Sequence, residues 1–367
     1  MTPGLRSGQE LRVVIAGGGT GGHLYPGIAV ARELLRRHPD ATVTFAGTAR
    51  GIESRVIPRE GFQLDVLRST GLKGSSISGL LRGLAVLPVS ALDAWRILSD
   101  RAPDLVIGVG GYSSGPVVLA AAVRRMPTML LEQNAVPGLT NRLLARVVSA
   151  AAVTFEPTAA FFGRRGFVAG NPVRPEFLSH DGGDPRREGA PPRLLIFGGS
   201  QGAHAINMAM VEAAPRLAAD GVVDITHQTG ERDLDVVRRG YADARVQARV
   251  EPFLFAMDRE MKNADLIVCR AGATTIAEVT AAARAAILIP LPTAADDHQR
   301  RNADVLARAG AADLIEQRDL TGAVLAERIA SLMKDAGRRH AMAQAAATFA
   351  RPDAARIIVD RALALVA

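Results

Sequence analysis

Two doubly wound, Rossmann-like α/β domains are what this sequence predicts, on three observations. Short β-branched runs alternate with longer amphipathic runs throughout the 367 residues, the signature of βα units around a parallel sheet. The order apolar strand, glycine loop, helix occurs twice, in "RVVIAGGGTGGHLYPGIAVA" and in "RLLIFGGSQGAHAINMAMVEAA". Between the two series lies "LSHDGGDPRREGAPP", polar and rich in Gly and Pro, which reads as an interdomain linker. The expected boundaries are 1–177 for the first domain, 178–192 for the linker, 193–350 for the second domain and 351–367 for a closing helix. Two such domains facing one another would create a cleft where the carboxyl ends of both sheets meet.

In the first half the predicted strands are "RVVIAG", "TVTFAG", "QLDVLRS", "DLVIGVG", "TMLLEQ", "AAVTFE" and "FVAGN". Stretches such as "GIAVARELLRRH" place their apolar residues at helical spacing between them. After the second glycine loop come "VVDITHQ", "RVQARV", "ADLIVCR" and "AAILIPL". The closing "DAARIIVDRALALVA" reads as an amphipathic helix, with a return to the N-terminal domain as one option. The most apolar segment, "SISGLLRGLAVLPVSALDAWRILS", is interrupted by Arg82, Gly83 and Pro88, which argues against a membrane span and leaves room for docking on a membrane surface.

Hydrophobic residues make up 48% of the chain, enough to fill two cores. A single cysteine, Cys269, permits no internal disulfide and no cysteine-based zinc site, and its setting in "ADLIVCR" reads as core packing. The net charge of +7, carried mainly by arginine, points to an anionic partner: nucleic acid, a membrane surface or a phosphorylated substrate. Aromatics at 4%, without basic-aromatic interleaving, argue against single-stranded nucleic acid. The first ten residues lack an apolar signal core, so a cytosolic setting is expected.

The glycines of "AGGGTGGHLYPG" fit G-x-G-x-x-G at Gly17, Gly19 and Gly22, and such a loop lets backbone amides and a helix N-terminus meet a phosphate. A nicotinamide site further requires an acidic residue about 20 positions on, at the end of the second strand. Here "TVTFAGTARG" ends in Gly47 and Thr48, and Ser200 stands where the second loop needs a glycine, so a dehydrogenase is set aside. His23 falls in the first turn of the following helix, where the dipole favours a neutral, proton-accepting ring; packing at the loop is the alternative. In "CRAGATTIAEVTAAA" a phosphate can again meet a helix start. Glu278 there suits paired ribose hydroxyls, or else closes a capping box with Thr275. His298, Gln299 and Asn302 either bind sugar hydroxyls or form a solvated helix start. Asp233 and Asp235 form the one Asp-x-Asp and read as a solvated helical face rather than a metal site.

As a set, "GGGTGGHLYPGIAVA", "GVGGYSSGP", "LEQNAVPGLTNRLLA", "GNPVR", "FGGSQGA", "RAGATTIAE" and "DDHQRRNA" resemble one family in matching order over nearly the whole chain. They are similar to the bacterial N-acetylglucosaminyltransferases that convert lipid I to lipid II in peptidoglycan synthesis. The resemblance implies the GT-B glycosyltransferase architecture, an inverting, UDP-sugar-dependent reaction and a part in cell-wall biogenesis, cell shape and division. Its donor is UDP-N-acetylglucosamine and its acceptor the polyprenyl-linked lipid I. It works as a peripheral protein at the cytoplasmic face of the inner membrane, with no cofactor, no metal and no nucleic acid.

Carried over residue by residue, the resemblance sets Phe253 beside the uracil, Glu278 at the ribose, and Ser200 with Ala273, Thr274 and Thr275 at the diphosphate. Ile276 and Ala277 complete that donor segment, Gln299 meets sugar hydroxyls, and Arg174 is a further donor-site residue. Thr20, Gly21 and Gly22 line the acceptor side, flanked by Tyr112 and Asn134. His23 is the candidate general base and Glu132 the runner-up. The apolar segment around Leu80, Leu81, Leu84, Val86, Leu87 and Trp95, with Arg82 and Arg96, would dock on anionic lipid, or else is an ordinary buried helix and loop. Two departures stand out: Leu131 replaces a histidine common before "EQN", and His298 replaces a glutamine found in some relatives. The alternatives are a UDP-sugar transferase with another lipid acceptor, a UDP-N-acetylglucosamine 2-epimerase, or a non-catalytic nucleotide-sugar or nucleic-acid binding module.

Overall fold

The structure, a computed structural model, describes residues 10–49, 51–68, 77–178, 191–199, 201–220 and 224–367, with the side chains of 77–87, 220 and 295 outside the description. The chain divides into two compact units, Met1–Arg174 with Arg351–Ala367, and Pro175–Ala350. Most of the predicted linker, 179–190, lies outside the described residues, as does Ser200.

In the first unit β1 (Arg12–Gly17), α1 (Gly21–Arg37), β2 (Thr42–Gly47), α2 (Glu53–Arg59) and β3 (Gln63–Val66) lead to a long helix, α3 (Ile77–Arg101). There follow β4 (Leu105–Gly110), α4 (Ser114–Val123), β5 (Thr128–Glu132), α5 (Leu139–Leu144), β6 (Ala150–Val153), α6 (Glu156–Phe162) and β7 (Gly166–Val168). The strands pair in parallel in the order β3-β2-β1-β4-β5-β6-β7, so the winding reverses between β1 and β4. Buried on both faces, these strands are near-continuous apolar runs whose alternate residues serve opposite cores. Val13, Ile15, Ile107 and Leu131 pack with Leu24 and Ile28 of α1, whereas Val14, Val106 and Leu130 pack with Leu98 of α3 and Val117 of α4. Leu131 thus occupies a core position, 2% exposed, which accounts for an aliphatic side chain there.

The second unit opens with α7 (Pro175–Leu178) and continues through β8 (Arg193–Phe197), α8 (His204–Asp220), β9 (Asp224–Gln228), α9 (Leu234–Asp243) and β10 (Ala248–Glu251). Next come α10 (Met257–Asn263), β11 (Leu266–Cys269), α11 (Ala273–Ala281), β12 (Ala285–Leu288), α12 (His298–Arg308) and β13 (Asp313–Leu314). Two helices, α13 (Gly322–Lys334) and α14 (Ala336–Ala347), finish it. Its parallel sheet runs β10-β9-β8-β11-β12-β13. The two-residue β13 carries too little pattern to be read from sequence. Cys269 is fully buried in β11, where desolvation foremost, with Glu278 nearby, pushes its thiol pKa up.

Helix α15 (Ala354–Leu363) belongs to the first unit. Ile358, Val359 and Val366 join the core under α1, and Arg37 Nη1 meets Asp360 Oδ1 at 2.5 Å. Burying three aliphatic side chains contributes on the order of 5 kcal/mol to holding this return.

Residues 77–101 form one helix of 25 residues, so Arg82, Gly83 and Pro88 do not break it as the sequence suggested. Pro88 removes one N–H, but the following turns are held by tertiary packing of Ala94, Ile97 and Leu98. Asp93 adds an anchor: Arg68 donates to it from Nε, Nη2 and its backbone amide, and this pairing lowers the Asp93 pKa to about 2. Among the described residues no helix is long and apolar enough to cross a membrane.

Candidate active site

In the first unit the candidate residues gather at the carboxyl ends of β1, β4 and β5, where a doubly wound sheet reverses its winding. Two glycine loops meet there backbone to backbone. Gly18 donates to the Gly110 carbonyl at 3.3 Å. A Cβ on Gly17 would lie 2.4 Å from the Gly110 oxygen, and one on Gly111 2.5 Å from the Gly18 oxygen. These glycines are therefore required by close packing as much as by any phosphate.

A carboxylate of the chain itself sits beneath the loop. Glu53, 1% exposed, accepts from Gly19 N at 2.8 Å, from Thr48 N at 2.9 Å and from Thr48 Oγ1 at 2.8 Å. Burial opposes its ionisation, yet these donors outweigh burial and hold its pKa below the usual carboxylate range. The Gly19 amide is thus committed, and α1 begins two residues later behind Thr20, whose side chain makes no capping bond. Thr20, Gly21 and Gly22 form this turn.

A pH dependence follows. A folded pKa below the unfolded value of about 4.3 stabilises the protein above that pH, and the stabilisation disappears as pH falls through the folded pKa. Glu53→Gln should therefore cost about 1–3 kcal/mol at pH 7, with the gap to wild type closing below about pH 4. Thermal melts across that range check it; a gap constant down to pH 3 would separate loop stability from the ionisation of Glu53.

His23, in the first turn of α1, lies against the end of β4. A Cβ on Gly110 would fall 2.8 Å from its Nδ1 and 2.9 Å from its Cε1, so only glycine admits the ring. His23 Nδ1 is 3.1 Å from Gln133 Oε1. Gln133, 2% exposed, donates its Nε2 to the Val109 carbonyl at 3.1 Å. Gln133, between Glu132 and Asn134, does not stand out in the sequence, because a neutral amide carries no charge signal.

Glu132, the runner-up base, has a structural task in its surroundings. It is 2% exposed. Its Oε1 accepts from Asn134 N and Nδ2 at 3.0 and 3.2 Å, and its Oε2 from Gly138 N and Asn141 Nδ2 at 3.0 and 2.8 Å. With four donors on two oxygens, Glu132 braces the 133–141 turn and holds Asn134 in place. Tyr112 follows the Gly110–Gly111 pair and is half exposed. Arg174 lies over the Tyr25 ring of α1, 5.9 Å from its centroid, which puts it in the first unit.

The second unit repeats the plan. Gly202 has φ +72°, and a Cβ there would lie 1.8 Å from the Thr229 oxygen, so the β8–α8 loop packs directly on the end of β9. Gln228 links two predicted donor segments: its Nε2 donates to the Gly199 carbonyl at 3.0 Å and its Oε1 accepts from Leu254 N at 2.8 Å. Phe253 is nearly half exposed beside the almost fully exposed Phe255, with ring centroids 5.1 Å apart.

Helix α11 begins at Ala273 with Gly272 as N-cap. Ala273, Thr274 and Thr275 are thus its first turn, whose amides find no acceptor within the helix. This removes the capping-box reading: Thr275 is inside the helix, and Glu278, 7% exposed, is a turn further on with Ile276 and Ala277 before it. Gln299 Oε1 accepts from Ala271 N at 3.3 Å and Leu291 N at 3.0 Å, and Asn302 is fully buried. At the start of α12, Gln299 and Asn302 are therefore tied into the fold, while Arg300 and Arg301 are exposed.

The Asp-x-Asp reading needs correcting for Asp233. It is 6% exposed, bonded to Asn207 Nδ2 at 2.9 Å and His204 Nδ1 at 3.0 Å, while Asp235 is exposed. Burial opposes its ionisation, but Asn207 and then His204 outweigh it and lower its pKa. Asp233 stands at the N-cap of α9, just before Leu234, and is held by Asn207 and His204 of α8. Among the described residues no group of three or more His, Cys, Asp or Glu could hold a metal ion.

Two parallel-sheet units, each with a glycine loop after its first strand, are the architecture of GT-B glycosyltransferases. The description "Glycosyltransferase family 28 N-terminal domain" matches residues 13–153, and "Glycosyltransferase family 28 C-terminal domain" matches 193–358. The chain is 49% identical, over 97% of its length and 93% of the relative's, to the UDP-N-acetylglucosamine--N-acetylmuramyl-(pentapeptide) pyrophosphoryl-undecaprenol N-acetylglucosamine transferase of Anaeromyxobacter sp. (strain K). Among solved structures it is similar to Acinetobacter baumannii MurG, with TM-score 0.80 and 32% identity, covering 96% of this chain and 99% of that one. A UDP-N-acetylglucosamine 2-epimerase from Listeria monocytogenes shares the fold, with TM-score 0.66 at 15% identity over 96% of this chain and 95% of that one. The chain belongs to glycosyltransferase family 28.

Proposed function

We propose that the chain transfers N-acetylglucosamine from UDP-N-acetylglucosamine to the C4 hydroxyl of the muramyl sugar of undecaprenyl-pyrophosphoryl-N-acetylmuramyl-pentapeptide, making lipid II and UDP. The observation that carries this is the 49% identity to a transferase of that name across both units. It weighs for transfer over the epimerase, whose likeness is one of fold alone.

In the reaction the C4 oxygen attacks the anomeric carbon from the face opposite UDP. The new C–O bond forms as the bond to the β-phosphate breaks, so the linkage inverts to β-1,4. The hydroxyl proton passes to His23, a step typically worth 10² to 10⁴ in rate. Charge developing on UDP is met by the first-turn amides of α11 and by the β8–α8 loop with Ser200. Glu278 takes the ribose hydroxyls, Phe253 lies beside the uracil, and the Gln299 amide donates to the sugar. Thr20, Gly21, Gly22, Tyr112 and Asn134 serve the acceptor, and Arg174 the donor. Incubation with UDP-N-acetylglucosamine, with and without a soluble lipid I analogue, tests the reading by mass spectrometry. Acceptor-dependent gain of one N-acetylhexosamine is expected; UDP release without acceptor would overturn it. Glu278→Ala should weaken UDP binding at least tenfold by calorimetry, whereas unchanged affinity with a lowered Tm would leave it a structural role.

Peripheral docking on an anionic membrane is supported by one face of the first unit. Leu92 and Trp95 of α3, Val123 of α4, Leu143 of α5 and Phe161 of α6 are all about half exposed or more. These helices cover the same face of the sheet. Arg124 stacks on Trp95 at 5.1 Å, and Arg142, Arg146 and Arg165 line a recess of about 540 Å³ with Leu143 and Phe161. Aliphatic and aromatic groups among arginines suit an acyl-headgroup boundary. The side chains of Leu80, Leu81, Arg82, Leu84, Val86 and Leu87 lie outside the described residues. Leu143→Glu combined with Phe161→Glu should abolish flotation with anionic liposomes; undiminished flotation would move docking away from α5 and α6.

A further inference from the structure

Two hydrogen bonds decide which nitrogen of His23 is available for a proton. The Val109 carbonyl can only accept, so the Gln133 side chain must present its NH₂ to it, at 3.1 Å. That orientation turns Oε1, also only an acceptor, toward His23 Nδ1 at 3.1 Å. Nδ1 must then carry the hydrogen, and a neutral ring has its lone pair on Nε2. The arrangement is buried at Gln133 and closed beneath the ring by Gly110, where a side chain would meet Nδ1 and Cε1. Glu132, next in sequence, accepts from the backbone amides of Asn134 and Gly138 and from the side chains of Asn134 and Asn141, so the turn that follows Gln133 is braced.

We infer that Gln133 is a positioning residue for the transfer, selecting the Nδ1–H tautomer of His23 and so directing the Nε2 lone pair to the acceptor hydroxyl; this rests on the reading of His23 as the base. A neutral amide does the task differently from a carboxylate. An Asp or Glu at this distance would fix the same tautomer and also raise the ring's pKa strongly, whereas the amide oxygen fixes the tautomer with a smaller effect on its charge. The side-chain amide also needs the length of glutamine, because it spans from the end of β5 to both the end of β4 and the first turn of α1.

The test compares full-length His23→Ala, Gln133→Leu and Gln133→Glu for kcat and KM of UDP-N-acetylglucosamine across pH, with ¹⁵N NMR of the histidine rings. Gln133→Leu should lower kcat at least tenfold with donor KM within twofold, and should replace the Nδ1–H signature of His23 by a mixture of tautomers. Gln133→Glu should move the acid limb of the kcat profile upward by about one pH unit or more, as a carboxylate beside imidazole does. Melting curves and UDP binding like wild type certify the fold of each variant. If Gln133→Leu fails to fold, the shifted acid limb of Gln133→Glu still decides the matter. A wild-type tautomer and pH profile in the Gln133 variants, alongside a disabled His23→Ala, would overturn the inference and keep His23 as base. Full activity in His23→Ala would overturn both.

Discussion

His23→Ala lowers kcat by about 10² to 10⁴-fold and leaves the KM for UDP-N-acetylglucosamine nearly unchanged, the loss expected when a general base is removed. The two parameters separate because His23 belongs to the β1–α1 turn of the first unit, while the proposed donor contacts other than Arg174 lie in the second. Its ring is held by Gln133 and packed against Gly110, so the deletion vacates one position without loosening Glu53 or Glu132. Steady-state kinetics with a soluble lipid I analogue measures it. A kcat within threefold of wild type would remove His23 from the chemistry, since Glu132 is saturated by four donors and offers no replacement.

Asn207→Leu destabilises the second unit by roughly 3–5 kcal/mol, read as a fall in the urea midpoint, because one buried amide holds three groups at once. Asn207 is fully buried. Its Nδ2 donates to the Thr229 carbonyl and to Asp233 Oδ2, each at 2.9 Å, so its Oδ1 faces His227 Nε2 at 3.0 Å. His227 Nε2 therefore carries the hydrogen, and its Nδ1 accepts from the Tyr241 hydroxyl at 2.9 Å. Burial pushes the His227 pKa down to about 3, so this chain runs through a neutral ring near pH 7. Leucine matches the volume but leaves a ring N–H and a carbonyl unpaired and deprives a buried carboxylate of a donor. The Thr229 carbonyl is also the group on which Gly202 packs, so UDP affinity should fall with stability. An unfolding free energy within about 0.5 kcal/mol of wild type would show that water replaces the amide.

The sequence was read correctly where the physics is local. Strand runs such as "LVIGVG" and "TMLLE" are apolar because both faces of a parallel sheet are buried, and that requirement is written in consecutive residues. His23 stands out in the sequence because it follows a strand and a glycine loop at a fixed spacing. Local reasoning failed where a pattern had two meanings. Thr275-Ile276-Ala277-Glu278 spells a capping box, yet the helix already starts at Ala273, because Gly272 supplies the extended N-cap conformation. Asp233 reads as solvated in a charged run and is buried by its bonds to Asn207 and His204.

The sequence by itself thus determined the two α/β series, the glycine loops at their first strands and the family to which their motifs belong. Only the tertiary structure decided what each loop residue is bonded to. Glu53 reaches Gly19 across 34 positions and Gln133 reaches His23 across 110. Apolar periodicity and glycine spacing arise from neighbours along the chain and leave a local trace. A buried carboxylate or amide is chosen by donors that folding brings from other strands, and no spacing in the chain records them.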